Sequence, residues 1–485
     1  MPASLQRSGD FRRKDRVEAG DWQTPSELAR AVTALLARGG ERYAAVLEPT
    51  CGRGAFLLAA HDAFPAARLV GFERSEAYVD EARRALGARA SLTVADFFAL
   101  EWERVLAELP EPLLIVGNPP WVTSSTLGGF SGTNLPAKSN FKHELGFDAL
   151  TGKSNFDISE WMLGRLLDAA RGRRFTLAML CKSAVARRLF EQSRARGWEV
   201  EGAVYAVDAR AHFAAAVSAV LLVVRGGGPA PDRAAARWAV FPSLDAERPA
   251  SHLGIAGGRV HGDIDAYRAT LELEGPSDVA WRSGIKHDLA RVMELVLEDG
   301  GLKNGLGERV ELEPDCVFPL CKGSDLARGR DAGRRFVLVT QQKIGEDTRP
   351  IRERAPATWR YLERHAAAFS ARKSRVYRGQ PPFAMFGVGP YSFAPYKVAT
   401  SALHKQLAFR ALAPYAGRPV LLDDTSYFLP CASAEAAAAY ERALASPLAR
   451  SFFEARVFWD AMRPINKALL GALSLDALLA RTAER

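Results

Sequence analysis

The sequence of 485 residues predicts an α/β fold with a doubly wound, mostly parallel sheet, followed by an α+β region. Three observations predict it. Short apolar runs alternate with longer amphipathic stretches between residues 45 and 224. The first apolar run leads into a glycine-containing loop and then into a helix start, which is typical of nucleotide-binding α/β sheets. The alternation stops near residue 281.

The predicted strands are short runs rich in aliphatic residues, as expected for strands that are buried on both faces. They cover residues 45–47, 68–73, 92–96, 113–117, 175–181, 200–207, 217–224 and 237–241. The predicted helices are longer and amphipathic, and one has Ser75 as its N-cap. They start at residue 55 and cover 75–86, 158–170 and 183–196. In the C-terminal part, 336–340 is a predicted strand, and 434–445 and 474–481 are predicted helices.

These patterns divide the chain into four parts. Residues 1–21 form an N-terminal extension without an apolar core, so a secretory signal is not expected. Residues 22–245 form the α/β domain, 246–280 a connection, and 281–485 the second domain. No apolar run approaches the length of a membrane span.

The charge and the cysteines limit the partners and the compartment. A net charge of +9 favours an anionic partner. The five cysteines are scattered and form no CxxC pair, so neither a zinc site nor any other metal site is expected. Free thiols of this kind fit a reducing cytosol, and we expect a cytoplasmic protein.

Polar groups follow the first three strands of the predicted sheet. Gly52 and Gly54 allow close approach of a ligand, but no Walker lysine follows the second glycine, which disfavours a pyrophosphate site. Glu73 ends the second strand, where an acidic residue typically binds ribose hydroxyls. Asp96 ends the third strand and could accept a hydrogen bond from an adenine amino group. The ligand that these strand ends predict is an adenosine without a pyrophosphate.

The tetrapeptide Asn118-Pro119-Pro120-Trp121 follows the fourth strand. The Asn118 side chain and the backbone carbonyls of Asn118 and Pro119 offer hydrogen-bond acceptors. The prolines stiffen the loop, and Trp121 offers a flat face. Together these groups could hold a planar ring that carries an exocyclic amine. The alternative is a simple turn, since Asn-Pro is common in loops.

A stretch of the second domain, residues 371–422, contains no aspartate or glutamate. Unopposed basic residues suit phosphate contacts, and the aromatic residues between them suit base contacts. The alternative is a solvated basic surface above an aromatic core. The candidate DNA contacts are Arg372, Lys373, Arg375, Arg378 and Lys397.

These motifs resemble those of the S-adenosylmethionine-dependent DNA amino-methyltransferases of the gamma arrangement, over residues 22–225. Gln23-Thr24-Pro25 resembles the segment that contacts the methionine carboxylate. Phe213 resembles the aromatic residue that packs on the flipped base. The resemblance implies a cofactor site formed by Thr24, Glu48, Pro49, Cys51, Gly52, Gly54, Phe56, Glu73, Asp96, Phe97 and Asn118.

The resemblance also implies a Rossmann-like methyltransferase sheet followed by a target-recognition domain. The implied activity is methylation of the adenine N6 amine in duplex DNA by base flipping. The implied catalytic residues are Asn118, Pro119, Pro120 and Trp121, with Trp121 and Phe213 stacking on the base. We also expect the protein to act on DNA as a monomer and to have a separate restriction endonuclease in the same defence system.

Two alternatives remain open at this stage. An RNA or protein amino-methyltransferase also fits the motifs, because ribosomal RNA is anionic too. A catalytically silent DNA-binding module of a defence complex is the alternative from another class, and the intact Asn118–Trp121 motif argues against it. The loop 122–156 is long enough to fold over a target base.

Overall fold

The computed structural model describes residues 23–121, 157–214, 217–228, 237–330 and 332–483. The chain divides into two compact units, Met1–Ile264 and Asp265–Arg485. The predicted N-terminal extension (1–21) and the predicted loop over the target base (122–156) lie outside the described residues. No helix in the described part of the chain has the length and apolarity that a membrane crossing requires.

The first unit alternates strands and helices as predicted. Its helices are α1 (Ser26–Arg38), α2 (Ala55–Ala63), α3 (Glu76–Leu86), α4 (Trp102–Ala107), α5 (Ile158–Ala169), α6 (Ser183–Ala195) and α7 (Ala209–Phe213). Its strands are β1 (Ala45–Glu48), β2 (Arg68–Glu73), β3 (Ala90–Val94), β4 (Leu113–Gly117), β5 (Phe175–Lys182), β6 (Val200–Val207), β7 (Ala219–Gly226), β8 (Trp238–Phe241), β9 (Ser251–Ala256) and β10 (Arg259–His261).

These strands form one sheet in the order β10-β9-β8-β6-β7-β5-β4-β1-β2-β3. The five strands from β5 to β3 in this order pair in parallel. The chain leaves β1 towards β2 and β3 and then returns to β4 on the other side of β1. The crevice between β1 and β4 is therefore the topological switch point, where open α/β sheets bind their ligands.

Both faces of the sheet are covered, which confirms the predicted doubly wound architecture. Along β4, Leu113 and Ile115 pack into one core with α4 and α5. Leu114 and Val116 pack into the opposite core with α1 and α2. Alternation along a strand sends neighbouring side chains to opposite faces, so a fully apolar strand needs a core on each side.

The other half of the sheet is less parallel than the sequence predicts. Strand β7 lies between β5 and β6 and is antiparallel to both. Strand β9 pairs with β8, and β10 pairs with β9, both antiparallel. Residues 251–261, which were expected to belong to the connection, therefore extend the first sheet, and the division between the units falls after Ile264.

The second unit is an α+β structure, as predicted. Its helices are α8 (Ile264–Ala269), which begins at the boundary, α9 (Ala290–Met293), α10 (Gly323–Ala327), α11 (Ile351–Arg354), α12 (Pro356–Arg364), α13 (Ala366–Ser370), α14 (Ala434–Leu444), α15 (Pro447–Glu454), α16 (Lys467–Gly471) and α17 (Leu475–Ala483). Its strands are β11 (Arg282–Ser283), β12 (Glu294–Glu298), β13 (Gly301–Asn304), β14 (Arg309–Val310), β15 (Val317–Cys321), β16 (Arg335–Leu338), β17 (Tyr396–Ser401), β18 (Arg410–Leu412), β19 (Leu421–Leu422) and β20 (Ser426–Cys431).

Two sheets organise this unit. One has the order β14-β13-β12-β16-β15-β19, and the other has the order β11-β20-β17-β18. The first packs against α11, α12 and α13. The second packs against the C-terminal helices α14 to α17.

Candidate active site

The loop between β1 and α2 forms the floor of the switch-point crevice. Gly52 and Gly54 have φ values of 49° and 79°, in the left-handed region that favours glycine. The Cys51 amide donates to the Phe72 carbonyl at 2.8 Å, which fixes the loop to the end of β2. A Cβ added at Gly52 would lie 2.7 Å from Gln23 Oε1, so a larger residue there would have to displace the end of the Gln23 side chain.

Glu73 ties this loop to the next one. Its Oε2 accepts from the Gly52 amide at 3.0 Å, and its Oε1 accepts from the Ser75 amide at 2.8 Å. The carboxylate therefore orders the glycine loop and the start of α3. Its remaining lone pairs can still accept from a ligand hydroxyl.

The segment before α1 lies beside the glycine loop, as the sequence predicts for Gln23 and Thr24. Gln23 Oε1 accepts from the Arg53 amide at 3.4 Å. Thr24 follows directly and is half-buried. The segment is thus in contact with the glycine loop that follows β1.

Glu48 ends β1 and is 3 % exposed. Its Oε2 has no hydrogen-bond partner among the described residues. Burial raises the pKa of Glu48 well above its ordinary range, a backbone hydrogen bond from Leu57 opposes this, and the negative charge of Glu73 adds to it. A Cβ added at Gly117 would lie 3.7 Å from Glu48 Cγ, so this carboxyl group adjoins the end of β4. A buried carboxyl group with an unused oxygen is ready for a cationic ligand group.

Asp96 and Phe97 differ in their accessibility. Asp96 is half-buried, and its Oδ1 accepts from the Phe98 amide at 3.0 Å. Phe97 is 5 % exposed and packs on Trp102, with ring centroids 4.6 Å apart. The expected contact of the Phe97 side chain with the cofactor is corrected, because its ring belongs to the core. Phe98 is the partly exposed aromatic ring next to Asp96.

Two other predicted cofactor contacts are buried. Phe56 has 0 % exposure and packs in the core between the sheet and α1, so its side chain does not face the crevice. Cys51 is 3 % exposed, and burial raises the pKa of its thiol. The Phe56 side-chain contact is thus corrected, and Cys51 can contribute only as a neutral group or through its backbone.

The Asn118–Trp121 motif leaves β4 at the other side of the crevice. Asn118 and Pro120 are half-buried, and Pro119 is buried. Trp121 is 6 % exposed, and its Nε1 donates to the Leu180 carbonyl of β5 at 3.3 Å. The motif is therefore attached to two neighbouring strands.

Trp121 and Phe213 lie together, as predicted, but not as two parallel faces. Their ring centroids are 5.2 Å apart and their planes meet at 72°, an edge-to-face contact. Phe213 is 6 % exposed. A flat base cannot enter between two rings that touch each other. Stacking of both rings on the base, as expected, therefore requires Trp121 and Phe213 to separate.

Lys182, which ends β5 beside the motif, was not among the predicted site residues. Its Nζ lies 2.8 Å from Asp157 Oδ2, and Asp157 caps α5. This pair places a partly exposed cation at the same edge of the sheet. The signal was present in the sequence as a basic residue that directly follows an apolar run.

The acid-free stretch of the second unit contains both exposed and enclosed cations. Lys373, Arg375 and Arg378 are exposed. Arg372 donates from Nη1 to the carbonyls of Ala384 (2.7 Å) and His287 (3.2 Å) and lies over the Tyr377 ring. Arg372 is therefore a structural residue, which corrects its expected role as a DNA contact.

Lys397 also corrects an expectation. It is 1 % exposed on β17, and its Nζ donates to the Ala394 carbonyl at 2.6 Å. Strand β17 lies between β20 and β18, and the 1 % exposure of the side chain keeps the Lys397 ammonium group from reaching a phosphate.

Replacing Lys397 with methionine is expected to stabilise the protein at pH 7 and below. Burial lowers the pKa of Lys397 to about 7, and an unfolded lysine titrates near ~10.4. Between these values the unfolded chain binds more protons, so the free energy of unfolding of the wild type rises with pH, by up to ~1.4 kcal/mol per unit. Urea unfolding at several pH values should show this slope reduced in Lys397→Met and unchanged in Lys405→Met. Equal slopes in the wild type and both variants would show that Lys397 is not the source of this pH dependence.

Comparisons with known proteins agree with this architecture. The chain is 39 % identical over 475 residues to the type II methyltransferase M.NspV of Nostoc sp. (strain ATCC 29411 / PCC 7524), covering 96 % of this chain and 98 % of that one. It is 32 % identical over 111 residues to the type II methyltransferase M.XamI of Xanthomonas campestris pv. amaranthicola, covering 23 % and 21 %. No protein-family model matches.

One solved structure supports the fold. The type IIL restriction-modification enzyme MmeI, solved in complex with DNA, aligns with a TM-score of 0.50 at 12 % identity. The alignment covers 92 % of this chain and 64 % of that one. At this identity the likeness shows the fold alone.

The crevice fits the cofactor that such enzymes use. S-adenosylmethionine carries an adenosine, a sulfonium and an amino-acid group, without a pyrophosphate. The two glycines allow close approach, Glu73 and Asp96 offer acceptors, and the unused oxygen of Glu48 suits an ammonium group. The 39 % identity over nearly the whole chain and the fit of the crevice together show that the chain belongs to the type II methyltransferases, with S-adenosylmethionine as its cofactor.

Proposed function

We propose that this protein methylates the exocyclic N6 amine of adenine in duplex DNA at a specific sequence. The observation that carries the proposal is the position of Asn118–Trp121 at the end of β4, beside the cofactor loop at the end of β1. Acceptors at this point can bind an amine next to the methyl donor. The cofactor supplies the methyl group, activated by its sulfonium.

The residues of the motif would activate the amine by hydrogen bonding. The lone pair of an adenine amine is delocalised into the ring, which makes the amine a weak nucleophile. The Asn118 side-chain oxygen and the Pro119 carbonyl would accept its two N–H groups. These bonds favour the lone pair localised on nitrogen and direct it at the methyl carbon. No covalent link to the protein is needed, which agrees with the buried, neutral thiol of Cys51.

The adenine must leave the stack, since its N6 amine is paired inside the duplex. Trp121 and Phe213 would stack on the extruded base after separating from their edge-to-face contact. Base stacking on an aromatic ring is worth about 1–3 kcal/mol, which offsets part of the unstacking cost.

The cofactor site follows from the chemistry of the strand ends. We assign the adenine amine to Asp96, the ribose hydroxyls to Glu73, and the methionine ammonium to Glu48. Thr24 lies where the methionine carboxylate would be bound. The exposed cations Lys373, Arg375 and Arg378 would contact the DNA backbone. In this proposal the protein acts as a monomer beside a separate restriction endonuclease.

The test is methylation of defined substrates. The purified protein is incubated with methyl-labelled S-adenosylmethionine and, separately, duplex DNA, ribosomal RNA and cell protein. Label is expected in DNA alone, as N6-methyladenine after digestion to nucleosides. Label in RNA or protein would support the alternative amino-methyltransferase reading, and label on cytosine would contradict the adenine assignment. Sequencing DNA from expressing cells would then give the recognition sequence.

Glu48→Gln is expected to weaken S-adenosylmethionine binding about tenfold or more, because a charged hydrogen bond is worth about 1.5–3 kcal/mol. Burial raises the pKa of Glu48, and a bound ammonium would lower it again. Cofactor binding to the wild type should therefore release a proton over a pH range above the ordinary glutamate pKa. Calorimetry in two buffers with different ionisation enthalpies measures this release. The proton release should vanish in Glu48→Gln and persist in the exposed control Glu247→Gln. If Glu48→Gln still releases a proton, Glu48 is not the source of that proton.

Trp121→Ala is expected to bind duplex DNA but to extrude the target base less completely. With 2-aminopurine at the target position, the fluorescence increase that reports unstacking should be smaller than for the wild type. Trp238→Phe, a change inside the core at β8, serves as the control for general loosening. A full fluorescence increase in Trp121→Ala would leave stacking to Phe213 alone.

A further inference from the structure

A cleft of about 460 Å³ lies in the second unit, and none of the residues that line it has been assigned a role above. It is formed by the segments 285–290, 322–324, 403–404 and 423–425, together with Glu294. Its lining contains both cations and anions: Lys286, Asp288, Glu294, Lys322, Asp423 and Asp424.

Close backbone contacts hold the cleft together. Lys286 and Phe386 exchange two backbone hydrogen bonds, at 2.7 and 2.8 Å. A Cβ added at Gly284 would lie 2.1 Å from the Asp423 carbonyl oxygen, and one added at Gly387 would lie 2.5 Å from the Gly284 oxygen. Three chain segments therefore meet at distances that only glycine permits, which makes the frame of the cleft rigid.

The inner groups of the cleft satisfy one another. Both oxygens of Glu294 accept from Lys322 Nζ, at 2.8 and 2.9 Å, and His287 Nε2 lies 3.6 Å from Glu294 Oε1. Burial lowers the pKa of His287, so the ring is neutral at pH 7. Asp423 Oδ1 accepts from the Gly323 amide and from the hydroxyls of Thr425 and Ser426. These groups shape the cleft.

Three charged rim residues, Lys286, Asp288 and Asp424, remain accessible to a ligand, and Asp424 Oδ2 lies 3.9 Å from Lys286 Nζ. Lys286 Nζ lies 3.1 Å from Asp288 Oδ1, and their side chains are 35 % and 31 % exposed. Asp288 has a φ of 54°, an uncommon conformation that aspartate tolerates better than most residues. Backbone strain of this kind is concentrated at ligand sites. The rim therefore presents a hydrogen-bond donor directly beside an acceptor.

The exposed basic segment adjoins this rim. Arg372 Nη1 donates to the His287 carbonyl, between Lys286 and Asp288, and Lys373 and Arg375 follow in the chain. Cations in that segment suit phosphates. The carboxylates of the cleft would repel a phosphate, so the cleft itself suits an uncharged ligand that both donates and accepts.

We propose that Lys286 and Asp288 read one G·C base pair of the recognition sequence in the major groove. Guanine presents the acceptors O6 and N7 there, and the paired cytosine presents its N4 amine as a donor beside them. Lys286 would donate to guanine, and Asp288 would accept from cytosine. This reading rests on the proposed function, since it supplies part of the sequence specificity of the same reaction.

The test compares Asp288→Asn and Lys286→Met with two matched controls. Asp299 also has a positive φ, 50°, and also pairs with a lysine, Lys303, at 3.1 Å. Asp299→Asn and Lys303→Met therefore remove the same charges from an exposed turn away from the cleft. Each full-length variant methylates a library of duplexes in which every position of the wild-type recognition sequence is varied, and the methylated adenines are sequenced.

Both cleft variants should lose about tenfold or more of the preference at the same G·C position and keep the preference at the other positions. The two controls should match the wild type. Unchanged preference, a uniform loss over all sequences, or relaxation at an A·T pair would each overturn the reading. If the wild type methylates no DNA, the proposed function itself fails, whereas a wild type that is specific beside unaltered cleft variants overturns only this inference.

Discussion

Replacing Asn118 with alanine is expected to lower the rate of adenine methylation at least about 100-fold. The side-chain oxygen is one of two acceptors that would activate the amine, and single groups that stabilise developing charge contribute about 10²–10³ in rate. The Pro119 carbonyl remains in the variant, but it cannot orient the amine alone. Single-turnover transfer to a DNA duplex that contains the target adenine measures the chemical step.

The affinity for S-adenosylmethionine distinguishes this loss from a damaged site. Asn118→Ala should bind the cofactor within a few fold of the wild type, because Glu48, Glu73 and the glycine loop are unchanged. Turnover near the wild-type rate would show that Asn118 does not activate the amine. A matching loss of cofactor binding would show that Asn118 belongs to the cofactor site alone.

Replacing Lys373, Arg375 and Arg378 together with alanine is expected to weaken DNA binding strongly at low salt. Each lost phosphate contact reduces the slope of log affinity against log salt by about 0.9, so three contacts reduce it by about 2.7. All three side chains are exposed in a stretch without acids. A salt titration on target and scrambled duplexes measures both the affinity and the slope.

A second triple variant removes the same charge elsewhere in the unit. Arg442, Arg450 and Arg481 are exposed on the C-terminal helices, and Arg450 and Arg481 lie near acids. Alanine at these positions should leave the slope close to that of the wild type. Equal slopes for the two triple variants would show that the acid-free stretch is an ordinary solvated surface.

The sequence predicts the strands that build the crevice well. The bounds of β2, β4 and β6 match the prediction residue for residue, because β4 is a continuous apolar run and the middle of β2 and of β6 is apolar. Strands β9 and β10 were not predicted, since only Leu253 and Gly254 in β9 and His261 in β10 are buried. A half-exposed strand at the edge of a sheet carries little periodic signal.

Side-chain burial was harder to predict than strand position. Phe56, Arg372 and Lys397 were all predicted as binding residues. The fold buries Phe56 and Lys397, and it holds the half-buried Arg372 by hydrogen bonds to backbone carbonyls. Lysine and arginine have long apolar stems, and whether the charged end reaches water depends on the neighbouring strands. Conversely, the sequence does not show that Glu48 is buried with an unused oxygen near the end of β4. Only the structure identifies it as a candidate ligand for the ammonium group.

The continuation of the first sheet through β9 and β10 determines where the second unit can be exchanged between relatives. A chimaera joined after residue 245 would take both strands from the foreign parent and leave the edge of β8 to pair with a mismatched sequence. An unpaired edge offers free amides and carbonyls to other chains and promotes aggregation. A junction after Ile264 keeps the native sheet whole. The choice of junction therefore decides whether a hybrid enzyme with a new target sequence remains soluble enough to be tested.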